Sequence, residues 1–206
     1  VTIPEQVAGQ GKNFSISIED NQKCRRYVGV VIKNIQVSPS PAWLKNRLEA
    51  IGLRSINNIV DVTNYVMYEW GQPLHAFDAD NIKGSSIHVK SFEETYKFTT
   101  LDGAIREVPR GSLFICDDEQ AIAIAGIMGG ENSEVSDSTT TIVLESAYFD
   151  PSIIRKCAKQ LSLQTDASYR FERGIDSNIQ LTAAIRAADL IKEMNPDALI
   201  TETIDL

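Results

Sequence analysis

A chain of 206 residues is long enough to bury a core, as one large domain or two small ones. Its 43% hydrophobic and 23% charged residues suit a soluble globular protein, and the longest apolar stretch, 121–128, is far too short for a membrane span. The net charge of −8 argues against a surface that grips a long run of phosphates, so any nucleic acid handled here touches the chain through a short end or a bound group.

The chain opens Val1-Thr2-Ile3-Pro4, with no initiator Met and no charged-then-apolar leader, and reads as a piece of a longer, unexported polypeptide. Cys24, Cys116 and Cys157 are odd in number and lack metal-ligand spacing, as expected of reduced thiols in a cytoplasmic protein. Residues 1–23, with Gly9 and Gly11, predict a linker or N-terminal extension with room for one short strand; residues 24–206 predict a single domain.

A β-branched run predicts a strand over 27–37. Ser40-Pro41 then opens a helix, with Ser as cap and Pro in the first turn; Leu44, Leu48 and Ile51 form its buried stripe and Gly52 ends it. A second helix, capped by Ser55, turns Ile59, Val62, Val66 and Trp70 inward and stops at Gly71. The period then shortens. Strands are predicted over 87–92, 96–101 and 104–108, with Asp102-Gly103 as a hairpin turn, and over 112–116 and 120–125 around Asp117-Asp118-Glu119. Another strand is expected over 141–146. Asp150-Pro151 starts a helix reaching about Leu161, and a last helix begins near Asp176-Ser177 with Leu181, Ile185, Ala188 and Ile191 inward. The fold class is α+β, with central sheet or sandwich-like strands flanked by helices.

No Cys-His cluster, Lys-bearing phosphate loop or Gly-x-Ser-x-Gly elbow occurs. Gly126-Ile127-Met128-Gly129-Gly130 looks like a phosphate cradle, but no Lys follows and Glu131 would repel an anion. A glycine turn that admits a ligand to backbone amides fits better, beside the plain reading of a turn at a strand end. His75 is expected on a loop after the second helix, where it can position a water or act as general base; a lone histidine is more often structural. Glu145 lies in an apolar strand, so it is either paired, waiting for a ligand group, or simply outward-facing. Arg170, Glu172 and Arg173 read as a solvated cluster.

Asn57-Asn58-Ile59-Val60-Asp61-Val62-Thr63-Asn64-Tyr65, Gln72-Pro73-Leu74-His75-Ala76-Phe77-Asp78, Ala125-Gly126-Ile127-Met128-Gly129-Gly130 and the run 165–176 occur in this order. Together they resemble the central editing module of bacterial phenylalanyl-tRNA synthetase β subunits, from about Cys24 to the C-terminus. The resemblance implies hydrolysis of Tyr wrongly attached to tRNA(Phe). It implies a pocket of His75, Gly126, Gly129, Glu145, Thr165 and Ala167. Glu145 would accept a hydrogen bond from the tyrosine hydroxyl, and Ala167 and the glycines would leave room for its ring. His75 and Thr165 would place the ester and the attacking water, with no covalent nucleophile. It further implies an α subunit as partner in an α2β2 heterotetramer, and the acylated 3′ end of tRNA(Phe) as ligand. No cofactor or metal is expected in the module, since the parent enzyme would use ATP and Mg in the α subunit. Two rivals stand beside this reading: a non-catalytic structural module, and a free-standing trans-editing protein.

Overall fold

The computed structural model describes residues 14–206. In chain order it runs β1 (Ser15–Ile18), β2 (Cys24–Lys33), α1 (Ala42–Ala50), α2 (Asn58–Trp70), β3 (Leu74–Asp78), β4 (Ser86–Ser91), β5 (Tyr96–Thr99) and β6 (Ile105–Val108). There follow β7 (Leu113–Cys116), β8 (Ala121–Ile124), β9 (Met128–Gly129), β10 (Thr141–Phe149), α3 (Pro151–Leu161), α4 (Asp166–Phe171), α5 (Gln180–Met194) and β11 (Leu199–Asp205). One sheet has the order β1-β4-β7-β8-β9 and a second the order β11-β2-β10-β3, while β5 and β6 form a separate hairpin. The fold is α+β, as the pattern of elements predicts.

Alternation along β2 and β10 builds the layers. Tyr27, Val31, Val143, Ala147 and Phe149 point to one side, into a core shared with Ile87, Val89 and Phe114 of the first sheet. Val28, Val30, Ile32, Ile142 and Leu144 point to the other, onto Leu44 and Leu48 of α1, Ile59, Val62 and Val66 of α2, and the alanine face of α5. The second sheet is therefore the middle of three layers, and its two central strands, β2 and β10, are buried on both faces, which is why 28–32 and 142–144 read as continuous apolar runs. Each such aliphatic side chain contributes roughly 1.5–3 kcal/mol by leaving water. Burial on both faces also removes one option for Glu145: no face of β10 at that position turns to solvent.

Several expectations need correction. Ser40 and Ser55 are not caps. Pro41 precedes α1 without a side-chain cap bond, and Asn57 caps α2, accepting from Ile59 N (3.1 Å) and Val60 N (2.8 Å). The two serine hydroxyls are drawn instead to Asp61, a fully buried carboxylate, at 2.6 Å and 2.5 Å; Ile56 N donates to its other oxygen at 2.9 Å. A buried charge without donors costs more than an uncapped helix end. Ile51 closes α1 at the surface, 50% exposed, rather than completing its buried stripe. The last helix begins at Gln180, because Asp176 folds a local turn by accepting from Asn178 N at 2.8 Å. Residues 14–23 do contain a short strand, β1, which pairs parallel with β4; the rest of the expected linker lies outside the described residues.

Candidate functional site

The site begins on the ladder between β10 and β3. Glu145 lies directly opposite His75 on one side and Gly29 on the other. His75 is thus a strand residue, not a loop residue, because β3 adds to β10 as the edge strand of the second sheet. Both side chains point into the space between the sheets. Glu145 is 8% exposed, and its Oε2 accepts a 2.6 Å hydrogen bond from the Tyr27 hydroxyl. Burial pushes the carboxyl up to about 7, although the Tyr27 hydrogen bond pulls the other way. Burial beside the Glu145 charge holds Tyr27 well above the ordinary phenol range, so it remains a donor. The His75 ring packs edge-on against Phe77, centroids 4.5 Å apart. Its half-buried, apolar setting pulls the imidazole down to about 4, leaving it neutral at pH 7.

The glycine-rich segment supplies the opposite wall. Gly126 takes a positive φ of +66° in the turn between β8 and β9, where Ile127 N donates to Ile124 O at 3.0 Å. A Cβ at Gly126 would come within 2.9 Å of Phe171 and 3.0 Å of Phe149, so its smallness serves the packing behind the wall. Gly129 is small for a different reason. A Cβ there would meet the His75 ring at 2.9 Å and 3.0 Å. The backbone of β9 therefore presses directly on the imidazole.

Thr165 fixes the third side. It caps α4 in a reciprocal capping box with Ser168: Ser168 N donates to Thr165 Oγ1 at 3.1 Å, and Thr165 N donates to Ser168 Oγ at 2.9 Å. Thr165 Oγ1 gives its own proton to Ile127 O at 2.9 Å, tying α4 to the glycine turn. With that proton committed, the hydroxyl can accept from a ligand but has nothing to donate. Ala167, in the first turn of α4, brings a methyl group to the cavity.

These elements enclose a slot of about 60 Å³ lined by His75, Gly126, Gly129, Glu145 and Ala167, with Leu74, Ile124, Met128 and Phe171 among the apolar remainder. It opens into a groove of about 440 Å³. The groove shares His75, Gly129 and Ala167 with the slot and adds Thr165, Asn57, Thr63, Asn64 and Met67. All the site residues expected from sequence thus line one continuous concavity. Sequence reading missed Tyr27, β11 and α4. A tyrosine at the head of the aliphatic run 28–32 was the available signal for Tyr27, since a buried phenol needs a partner. Arg170, Glu172 and Arg173 stay at the surface: Arg173 pairs with Glu172 at 2.5 Å and Arg170 with Asp166 at 3.4 Å. His88 bonds Asp118 at 2.8 Å from β4 and lines neither cavity. Chemically, the slot joins an acceptor carboxylate at its buried wall to a neutral imidazole beside the opening groove. Among the described residues its lining carries no serine or cysteine nucleophile.

Residues 23–196 match the B3/4 domain family. Among proteins of known identity, the chain is similar to the phenylalanine–tRNA ligase β subunit of Salinibacter ruber, 48% identical over 205 residues covering 100% of this chain and 25% of that protein. It is similar to the same subunit of Geobacter metallireducens, 50% identical over 205 residues (100% and 26%), and of Protochlamydia amoebophila, 53% identical over 192 residues (93% and 24%). The chain spans about a quarter of the length of these relatives. Its fold is shared with a crystal structure of an N-terminal fragment of the phenylalanyl-tRNA synthetase β-subunit from Pyrococcus horikoshii. That match has a TM-score of 0.59 at 11% identity and covers 98% of this chain and 56% of the other.

Proposed function

The chain belongs to the B3/4 domain family and corresponds to a stretch of the phenylalanine–tRNA ligase β subunit, and on that premise we propose that it hydrolyses the ester of Tyr-tRNA(Phe). The observation that carries this reading is Glu145: a carboxylate in the wall of a mainly apolar slot, with one oxygen held by Tyr27. A purely hydrophobic synthetic pocket rejects an analogue with one added hydroxyl by only about 100-fold. A second slot ending in an acceptor inverts the preference. A tyrosyl ring gives its hydroxyl to the second oxygen of Glu145, whereas a phenylalanyl ring leaves that oxygen desolvated and unpaired, at a cost of roughly 1–3 kcal/mol.

In this reading the aromatic side chain enters the slot and the terminal adenosine lies in the larger groove, where Asn57, Thr63 and Asn64 offer polar contacts. The ester then sits at their junction, beside His75. Water attacks the carbonyl carbon, the bond from that carbon to the ribose oxygen breaks, and the ribose oxygen recovers a proton. Tyrosine leaves as the free acid. His75, neutral at pH 7, holds the attacking water by accepting its hydrogen. Thr165 keeps α4 and the glycine turn at a fixed spacing around the ester. We assign the module to residues 24–206 of a cytoplasmic β subunit, partnered by an α subunit in an α2β2 enzyme. We assign ATP- and Mg-dependent aminoacylation to that partner.

The test uses the whole α–β enzyme and separately charged Tyr-tRNA(Phe) and Phe-tRNA(Phe) in ¹⁸O-labelled water. Faster release of tyrosine than of phenylalanine, with label in the tyrosine carboxylate, is expected. Equal release of both would favour a module that only supports the synthetase structurally.

A further inference from the structure

The Tyr27–Glu145 hydrogen bond has no part in the chemistry above, yet it joins a fully buried phenol to the carboxylate that would read the substrate. Tyr27 is a diagonal neighbour of Glu145, two residues from Gly29, which stands directly opposite Glu145 on β2. The space beside Gly29 is filled by Ile16 of β1, whose Cδ1 would lie 2.4 Å from a Cβ placed there. The flank of Glu145 toward β2 is therefore closed by an aliphatic side chain, and Tyr27 is the donor on that side. The titratable groups facing Glu145 are Tyr27 and Cys24 from β2 and His75 from β3. The facing wall from β8, the glycine turn and α4 is apolar, through Ile124, Ile127 and Phe171. Glu145 Oε1, unlike Oε2, makes no hydrogen bond within the described residues, and it is not among the sealed, unsatisfied buried atoms. The carboxylate is split between a core-facing oxygen that is occupied and a second one left for the slot.

Resting on the reading of the site given above, we propose that Tyr27 is a positioning residue for specificity. Its phenol holds one oxygen of Glu145 from inside the core and presents the other to the slot as a hydrogen-bond acceptor. A tyrosyl substrate would then complete a carboxylate bridged by two phenols. A phenylalanyl substrate would leave that bridge half made.

The experiment measures kcat/KM for deacylation of Tyr-tRNA(Phe) and Phe-tRNA(Phe) by the whole α–β enzyme from pH 6 to 9, wild type against Tyr27→Phe. The readout is the Tyr/Phe ratio on a single preparation, which is independent of the folded fraction. In the wild type the ratio is expected to rise through about pH 7 as Glu145 ionises. Tyr27→Phe removes a bond that favours the charged carboxylate, so the rise moves to higher pH. At pH 7 the ratio falls about 10-fold, chiefly through KM. In a Glu145→Gln background the same substitution should change the ratio no further. A wild type selective for Tyr, with Tyr27→Phe leaving both ratio and pH midpoint in place, overturns the inference and spares the editing assignment. An equal effect of Tyr27→Phe in the Glu145→Gln background also overturns it. A wild type with no preference for Tyr overturns the editing reading and the inference with it.

Discussion

His75 and Glu145 face one another across the β10–β3 ladder, and burial moves their proton affinities in opposite directions. The imidazole is held down to about 4 and the carboxyl raised to about 7. Near neutral pH the pair therefore consists of a neutral ring and a carboxyl close to half ionised. A desolvated site gains an acceptor that can be charged without also gaining a cation to neutralise it.

The two groups drive stability in opposite senses as pH changes. The Glu145 carboxyl is raised above its ordinary 4.5, so the folded state binds its proton more tightly and loses stability as pH rises from about 4.5 to about 7. His75 is lowered from 6.5 to about 4, so the folded state loses stability as pH falls from about 6.5 to about 4. Glu145→Gln removes the carboxyl's contribution alone. The variant should gain on the wild type as pH is raised from about 4.5 to 8, by an amount on the order of 3 kcal/mol at most. Thermal unfolding at both pH values checks this; a constant difference in Tm contradicts it.

Gly129 should tolerate no side chain while editing persists. In Gly129→Ala the new methyl would meet the His75 ring at 2.9 Å and Leu101 at 3.1 Å, and its φ gives no backbone reason for strain. Displacing the imidazole by a few tenths of an ångström to an ångström should lower deacylation about 100-fold. Thermal stability should change by about 1 kcal/mol or less. Parallel deacylation assays and thermal melts would separate the two effects.

Thr165 is a structural clamp as well as a wall of the groove. Thr165→Val loses the cap of α4 and the bond to Ile127 O, at about 1 kcal/mol for the cap. Thr165→Ser keeps both. Hydrogen exchange at the amide of Ser168, which donates to Thr165 Oγ1, should quicken in the valine variant and stay near wild type in the serine variant.

Asp61 organises the entry to α2, beside the groove residues Ile56 and Asn57. Asp61→Ala would leave the donors of Ser40, Ser55 and Ile56 facing the emptied, buried carboxylate position, with an expected loss of about 1–3 kcal/mol. Denaturant titration measures it, and a loss below about 1 kcal/mol would show that water replaces the carboxylate.

What the sequence made legible follows from how local each signal is. The α2 stripe, the Asp102-Gly103 turn and the Asp150-Pro151 helix start depend on near neighbours, and they stand where expected. Ser40 and Ser55 misled because their hydroxyls answer to Asp61, a partner six to twenty-one residues away in sequence. His75 looked like a loop residue because the strand that pairs with β3 lies some seventy residues on. The orientation of Glu145 was illegible for the same reason: alternation assigns it a face, but only the three-layer stacking shows that both faces are buried. The positions of the site residues came from long motifs shared with a family. Their convergence on one concavity depends on contacts between β3, the glycine turn, β10 and α4 that no local pattern encodes.

The most direct test of the central claim is deacylation of Tyr-tRNA(Phe) and Phe-tRNA(Phe) by the whole α–β enzyme, wild type against Glu145→Ala, with phenylalanine aminoacylation measured alongside. The account predicts that Tyr-specific hydrolysis is lost while aminoacylation stays intact. Unchanged preference for Tyr in the variant would contradict it and remove Glu145 from the reading of the substrate hydroxyl.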